Sequence, residues 1–204
     1  MYNNSLQTFY KASIISFFSA IIIGGFSFMY GKENLFLLLN TDLGATGDFI
    51  FKYATYFADG VVWIPFVVLV FIKKRKELLA TISSIIISTV IAQGIKRYVL
   101  PVEPRPIVAI KDITQIHTIP NVFVHEVGSF PSGHTTQIFT MFLLLCICYN
   151  SNKILWFGFI TSLLVAYSRV YQAQHFPIDV AGGIIAALIS VWVSYFIQKE
   201  IQKN

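Results

Sequence analysis

Hydrophobic residues in this chain fall in long unbroken blocks, with no alternation and no three-to-four-residue repeat. Blocks of about 20 apolar residues match a helix that crosses a hydrocarbon layer of about 30 Å. They lie at about 12–30, 53–72, 78–95, 136–149, 154–167 and 178–197. The pattern predicts an all-α bundle of six transmembrane helices forming a single domain over 1–204. The fourth and fifth blocks are short, so their outer turns are expected to draw in neighbouring polar residues. No small-residue cleavage site follows the first block, which is read as a retained span and not as a signal peptide. Between the third and fourth blocks, Pro101, Pro104, Pro106, Pro120 and Pro131 argue against one long helix.

Composition agrees with this reading. With 204 residues, 55% hydrophobic and 12% charged, the chain is too apolar for an ordinary soluble domain and is expected to live in a lipid bilayer. The net charge of +5 is not a nucleic-acid footprint, because the basic residues cap apolar blocks and form no stripe. The tightest basic loop, Lys73-Lys74-Arg75-Lys76, is cytoplasmic by the positive-inside rule. Both termini, with Lys11, Lys199 and Lys203, and the loop holding Lys153 then share that side. A Lys-, Asn- and Ile-rich composition points to a bacterial inner membrane. Cys146 and Cys148 read as inert buried thiols, and Trp63, Trp156 and Trp192 as core or interface anchors. Oligomeric state is not written in the sequence.

Three polar clusters interrupt the apolar blocks: 96–106, Pro131-Ser132-Gly133-His134, and 168–179. The first two share the connection between the third and fourth spans, and the last follows two spans later, so parity puts all three on one membrane face. Because the basic loop is inside, that face is the outer, periplasmic or extracellular one. Lys96, Arg97 and Arg169 fall at helix C-termini, where the dipole favours cations. Ser132, Gly133 and His134 precede the fourth span, whose free amides suit an anion. Pro177 and Asp179 open the sixth, and helix continuing back to His175 would set Asp179 on the same face by i,i+4 spacing.

This set of residue types suits phosphoryl transfer, which needs donors around non-bridging oxygens, an in-line nucleophile and an acid for the leaving oxygen. Lys96, Arg105 and Arg169 can bring charge, and Ser132 and the Gly133 amide can bring neutral donors. His175, paired with Asp179, is the better nucleophile for a phosphohistidine; His134 is left as the acid for the leaving alcohol and then the base for water. Asp112 and Glu126 are too few and scattered for a magnesium cage, so no metal and no cofactor are expected. Singly, each residue has a plainer reading: Lys96 or Arg169 as interfacial cations, Ser132 as a helix cap, the histidines as loop residues. Their joint occurrence favours a phosphate site. Outside the motifs, His117 and His125 read as water-facing loop histidines, and Asp59 as an interfacial carboxylate, with Lys96 or Arg97 as its possible partner.

The strings PSGH and SRVYQAQHFPID resemble the second and third motifs of the type-2 phosphatidic acid phosphatase superfamily, which also includes glucose-6-phosphatase and the vanadium haloperoxidases. The resemblance implies that Lys96, Arg105, Ser132, Gly133 and Arg169 bind phosphate, with His175, Asp179 and His134 catalytic. In the family's first motif six residues separate a lysine from Arg-Pro, whereas eight separate Lys96 from Arg105-Pro106. Arg97 is therefore an alternative to Lys96. The implied activity is metal-independent hydrolysis of a membrane lipid phosphate or pyrophosphate, of the undecaprenyl pyrophosphate, phosphatidylglycerol phosphate or phosphatidic acid type. Lipid A phosphatase, lipid-to-lipid phosphotransferase, haloperoxidase and non-enzymatic lipid or anion transporter are the alternatives.

Overall fold

Two of the long helices turn mostly small side chains inward and large apolar ones outward. In the computed structural model, which describes residues 6–203, α1 (Gln7–Tyr30) buries Ala12, Ser13, Ser16 and Ala20 and exposes Phe17, Phe18, Ile21 and Phe28. The helix Leu78–Gly94 repeats this, burying Ala80, Thr81, Ser84 and Ser88 and exposing Ile82, Ile86 and Val90. Against lipid there is no gain in hiding a large apolar side chain, and small residues let backbones approach closely.

After α1 follow α2 (Lys32–Leu39), α3 (Gly44–Ala54), α4 (Trp63–Lys73), α5 (Leu78–Gly94), α6 (Pro106–Ala109), α7 (Gly133–Cys148), α8 (Asn152–Tyr171) and α9 (Pro177–Ile201). No β-strand occurs among the described residues; the proline-rich connection holds one isolated bridge, Pro104 to Val127. The molecule is all-helical. Segments Gln7–Tyr30, Arg75–Val99, Asn152–Tyr171 and Pro177–Ile201 are each long and apolar enough to cross a membrane.

The second block, expected as a plain span over 53–72, is instead a bent pair, Gly44–Ala58 and Gly60–Lys73, whose axes differ by 51°. The break falls at Asp59, extended (φ −72°, ψ 146°) between two 3-10 turns. Helix α7, with 16 residues, reaches only about 24 Å at 1.5 Å per residue. It packs against α1, α5, α8 and α9 and buries both Cys146 and Cys148.

At the end of the bundle away from the polar clusters, Gln198 of α9 accepts from Ala80 N at 2.8 Å and donates to Glu77 at 2.5 Å, capping α5. Gln202 donates to Lys76 O, and Lys74 lies over the Tyr149 ring. The basic turn after α4 therefore sits at the C-terminal ends of α7 and α9.

Candidate active site

Helix α7 starts where it does because Ser132 caps it, accepting from Thr135 N and Thr135 Oγ1. The N–H of Ser132 donates to Asp179 O at 2.9 Å, tying this start to the first turn of α9. Two glycines of α9 permit that approach. A Cβ on Gly183 would stand 2.7 Å from Ser132 O, and one on Gly182 would stand 2.4 Å from the Phe130 ring. The Phe130–Pro131 peptide is cis. Beside Gly133, by contrast, a Cβ would meet nothing within 4 Å, so space lies open at the first amides of α7.

Asn40, just after α2, holds the C-terminal end of α8. Its Nδ2 donates to Val170 O and Tyr171 O, and its Oδ1 accepts from His117 N at 2.7 Å. Each such bond contributes about 1 kcal/mol, and together they tie the last carbonyls of α8 to the loop at His117. Arg169 is buried in the last turn of α8, with Nη1 donating to Thr55 Oγ1 and to Gln172 Oε1 at 3.1 Å. Its Nε is buried with no hydrogen-bond partner among the described residues. A buried, undirected guanidinium N–H is costly by itself and suited to an anion.

Arg105 is buried as well, but most of its donors are committed. Nε donates to Val127 O, Nη1 to Gln174 O and Oε1, and Nη2 to Gly128 O at 3.3 Å. It thereby folds the connection before α7 onto the turn after α8. Burial lowers its proton affinity and the Asp179 charge raises it. Lys96 lies in a π-helical turn, Ile95–Val99, at the end of α5. It is half-buried and close enough to act electrostatically on His175, whereas Arg97 next to it is exposed.

His175 is 2% exposed. It precedes α9 and is not part of it: Pro177 opens the helix, as the sequence predicts, with Phe176 at the cap position, so the condition of helix continuing back to His175 is not met. Asp179 still reaches His175 because, as the third helical residue, its carboxylate turns back toward the cap. Its Oδ2 accepts from Phe176 N at 2.9 Å and Ser129 Oγ at 2.5 Å, and lies 3.4 Å from His175 Nδ1. That last contact lacks hydrogen-bond geometry, and Nδ1 has no such partner among the described residues. Burial holds the imidazole well below the usual histidine range, reinforced by Arg105, Lys96, Arg169 and His134. These four groups from three chain regions thus converge on one histidine.

Asp59 is not paired with Lys96 or Arg97: its Oδ1 lies 3.1 Å from His134 Nε2. Neither is His117 a free loop histidine. It is largely buried, 2.9 Å from Asp48, whose Oδ1 also accepts from Tyr171. His125 is exposed and edge-on to Phe123; partial burial, then Arg105, Arg169 and Lys96, lower its proton affinity. Ser129, Thr55, Gln172, Gln174 and Asn40 are site-building residues the sequence reading did not single out. Short polar side chains without a spacing rule give no signal until their distant partners are known.

Residues 77–203 match the PAP2 superfamily. The undecaprenyl-diphosphatase of Sulfolobus acidocaldarius is 29% identical over 177 residues, 85% of this chain and 80% of that one. The lipid A 4'-phosphatase of Porphyromonas gingivalis is 28% identical over 173 residues, 82% of this chain and 72% of that one. The crystal structure of Aquifex aeolicus LpxE superposes with a TM-score of 0.71 at 28% identity, covering 79% of this chain and 92% of that one.

Proposed function

This chain belongs to the PAP2 superfamily, and we propose that it is a membrane lipid phosphatase working by phosphoryl transfer through a phosphohistidine. The observation that carries the reading is the convergence of Lys96, Arg105, Arg169 and His134 on a buried His175 backed by Asp179. In this reading Nδ1 of His175 faces Asp179, and Nε2 attacks phosphorus as the bond to the lipid's oxygen breaks. His134 gives that oxygen its proton. It then takes a proton from water, which attacks the phosphohistidine and releases phosphate from His175. Lys96, Arg105, Arg169, Ser132 and the Gly133 amide hold the non-bridging oxygens, so the charge building there is met by cations and N–H groups without a metal. Arg105 does this with little spare hydrogen-bonding capacity, which makes the partnerless Nε of Arg169 the stronger candidate for direct contact.

We read 1–204 as one domain of six spans, with the bent pair as a single broken span and α7 as the short central one. Irregular backbone at membrane depth is tolerated where it is buried in protein or lines a polar site, and the break at Asp59 stands beside His134. The basic turn Lys73–Lys76 lies at the end of the bundle away from the site, which by the positive-inside rule supports an outward-facing site and cytoplasmic termini in an inner membrane.

For substrate we favour a polyprenyl diphosphate of the undecaprenyl type, the activity in the name of the Sulfolobus relative. The likeness to Aquifex LpxE and to the Porphyromonas lipid A 4'-phosphatase supports a second reading, a lipid A phosphate. Phosphate release by purified protein in EDTA from undecaprenyl diphosphate, phosphatidylglycerol phosphate, phosphatidic acid and lipid A distinguishes them. Release from the first that disappears in His175→Ala is expected. Release from lipid A alone selects the second reading, and no release from any of them overturns both.

A further inference from the structure

The break in the α3–α4 pair brings two side chains to the site, and both meet motif residues. Thr55 accepts from Arg169 Nη1, and four residues on Asp59 Oδ1 stands 3.1 Å from His134 Nε2. The 3-10 turn between them packs against α7 and α8. Asp59 N donates to Tyr56 O and Val62 N donates to Asp59 O, fixing the backbone on both sides of the carboxylate. Thr55 and Asp59 both lie outside residues 77–203, the stretch that matches the family.

Resting on the phosphatase reading, we propose that Asp59 is a positioning residue for His134, orienting the imidazole and stabilising its charged form before it protonates the leaving group. The charges around His134 make the need concrete. Lys96 at the end of α5, Arg169 on α8 and His175 before α9 all face it, and Asp59 supplies the one carboxylate among its electrostatic neighbours in the described residues. An acid that must carry a positive charge among these cations is opposed by Coulomb repulsion, which an adjacent carboxylate offsets. With Nε2 donating to Asp59, Nδ1 is the atom that gives its proton to the leaving oxygen and afterwards accepts one from water. The carboxylate keeps its hydrogen bond throughout and touches no substrate. At about one-third exposure, both side chains remain accessible and the pair is not sealed in the core. This is what separates it from a purely structural bond.

The test compares wild type, Asp59→Asn and Asp59→Glu on the lipid that wild type hydrolyses fastest, with kcat and KM followed across pH. A group that must hold its proton loses effectiveness as pH rises, so removing the carboxylate should move the high-pH limb of kcat to lower pH. Asp59→Asn should also lower kcat at neutral pH by about 10²-fold with KM little changed. Asp59→Glu should restore the limb and most of the rate, and its melting temperature in detergent should match that of Asp59→Asn. A uniform loss at every pH, a loss in KM alone, or no recovery in Asp59→Glu would overturn the role of Asp59 while leaving the phosphatase reading intact. Wild-type protein that releases no phosphate from any lipid would overturn both.

Discussion

The amide of Ser132 and the carbonyl of Asp179 share a 2.9 Å hydrogen bond, so the motif that carries His134 and the turn that carries the carboxylate beside His175 are fastened backbone to backbone. Their separation is fixed by main chain alone. The side chains above them inherit that spacing, and disturbing it should cost activity more than stability.

Gly183 is the position to disturb. A Cβ there would stand 2.7 Å from Ser132 O and 2.9 Å from Thr135 Cβ, with backbone and a β-branched side chain unable to yield easily. Gly183→Ala should destabilise by about 1–3 kcal/mol, and the displaced α7 start should cost about 10²-fold in kcat. Thermal unfolding in detergent and steady-state rates measure the two. Gly133→Ala, facing open space, should leave the melting temperature unchanged.

Ser129 donates to the same carboxylate oxygen of Asp179 that stands nearest His175. Ser129→Ala should reduce kcat by about tenfold, with Asp179→Asn larger at about 10²–10⁴-fold, because the first loosens the carboxylate and the second removes its charge. Equal effects, read from kcat for both variants, would assign the charge no role of its own.

Buried among cations, His175 should stay neutral and nucleophilic to pH values below the ordinary 6.5. The sign follows directly: a lowered proton affinity delays protonation as pH falls, so activity limited by this group persists below 6.5. The acid limb of kcat/KM, corrected for substrate ionisation, should fall on the acid side of that value. A limb at or above it contradicts the assigned environment.

The π-helical turn at the end of α5 favours Lys96 over Arg97 for the first-motif role, because it leaves Lys96 half-buried and Arg97 exposed. Lys96 faces His175 and Arg97 faces outward, so Lys96→Ala should lose about 10²-fold in kcat/KM and Arg97→Ala less than about twofold. The reverse order in the same assay would give the first-motif position to Arg97.

How much of this was legible beforehand follows from the kind of signal each feature leaves. PSGH and the His175–Asp179 spacing are local strings at helix ends, where backbone geometry ties sequence distance to spatial distance. The long apolar blocks around α1, α5, α8 and α9 were legible for a similar reason, since a bilayer leaves few alternatives to helix. Asp59 stood out as a carboxylate in an apolar run, but its pairing was not legible, because its partner His134 lies 75 positions away. Ser129 and Asn40 are single short polar residues whose importance comes only from carboxylates and carbonyls far along the chain. The two extra residues between Lys96 and Arg105 left two candidates for one role, and only the turn geometry separates their directions. Pro177 opens α9 as the sequence predicts, helix does not run back to His175, and Asp179 in the first turn reaches back toward the cap, so the pairing of the two does not rest on i,i+4 helical spacing.

Passage of phosphate through His175 can be caught by quenching the purified protein in base, in EDTA, during turnover of a phosphorus-labelled lipid substrate. A phosphohistidine at this position leaves a base-stable, acid-labile label on the peptide containing His175, absent from His175→Ala, which also releases no phosphate. Phosphate release by His175→Ala at the wild-type rate, or a label carried by another residue, would contradict it.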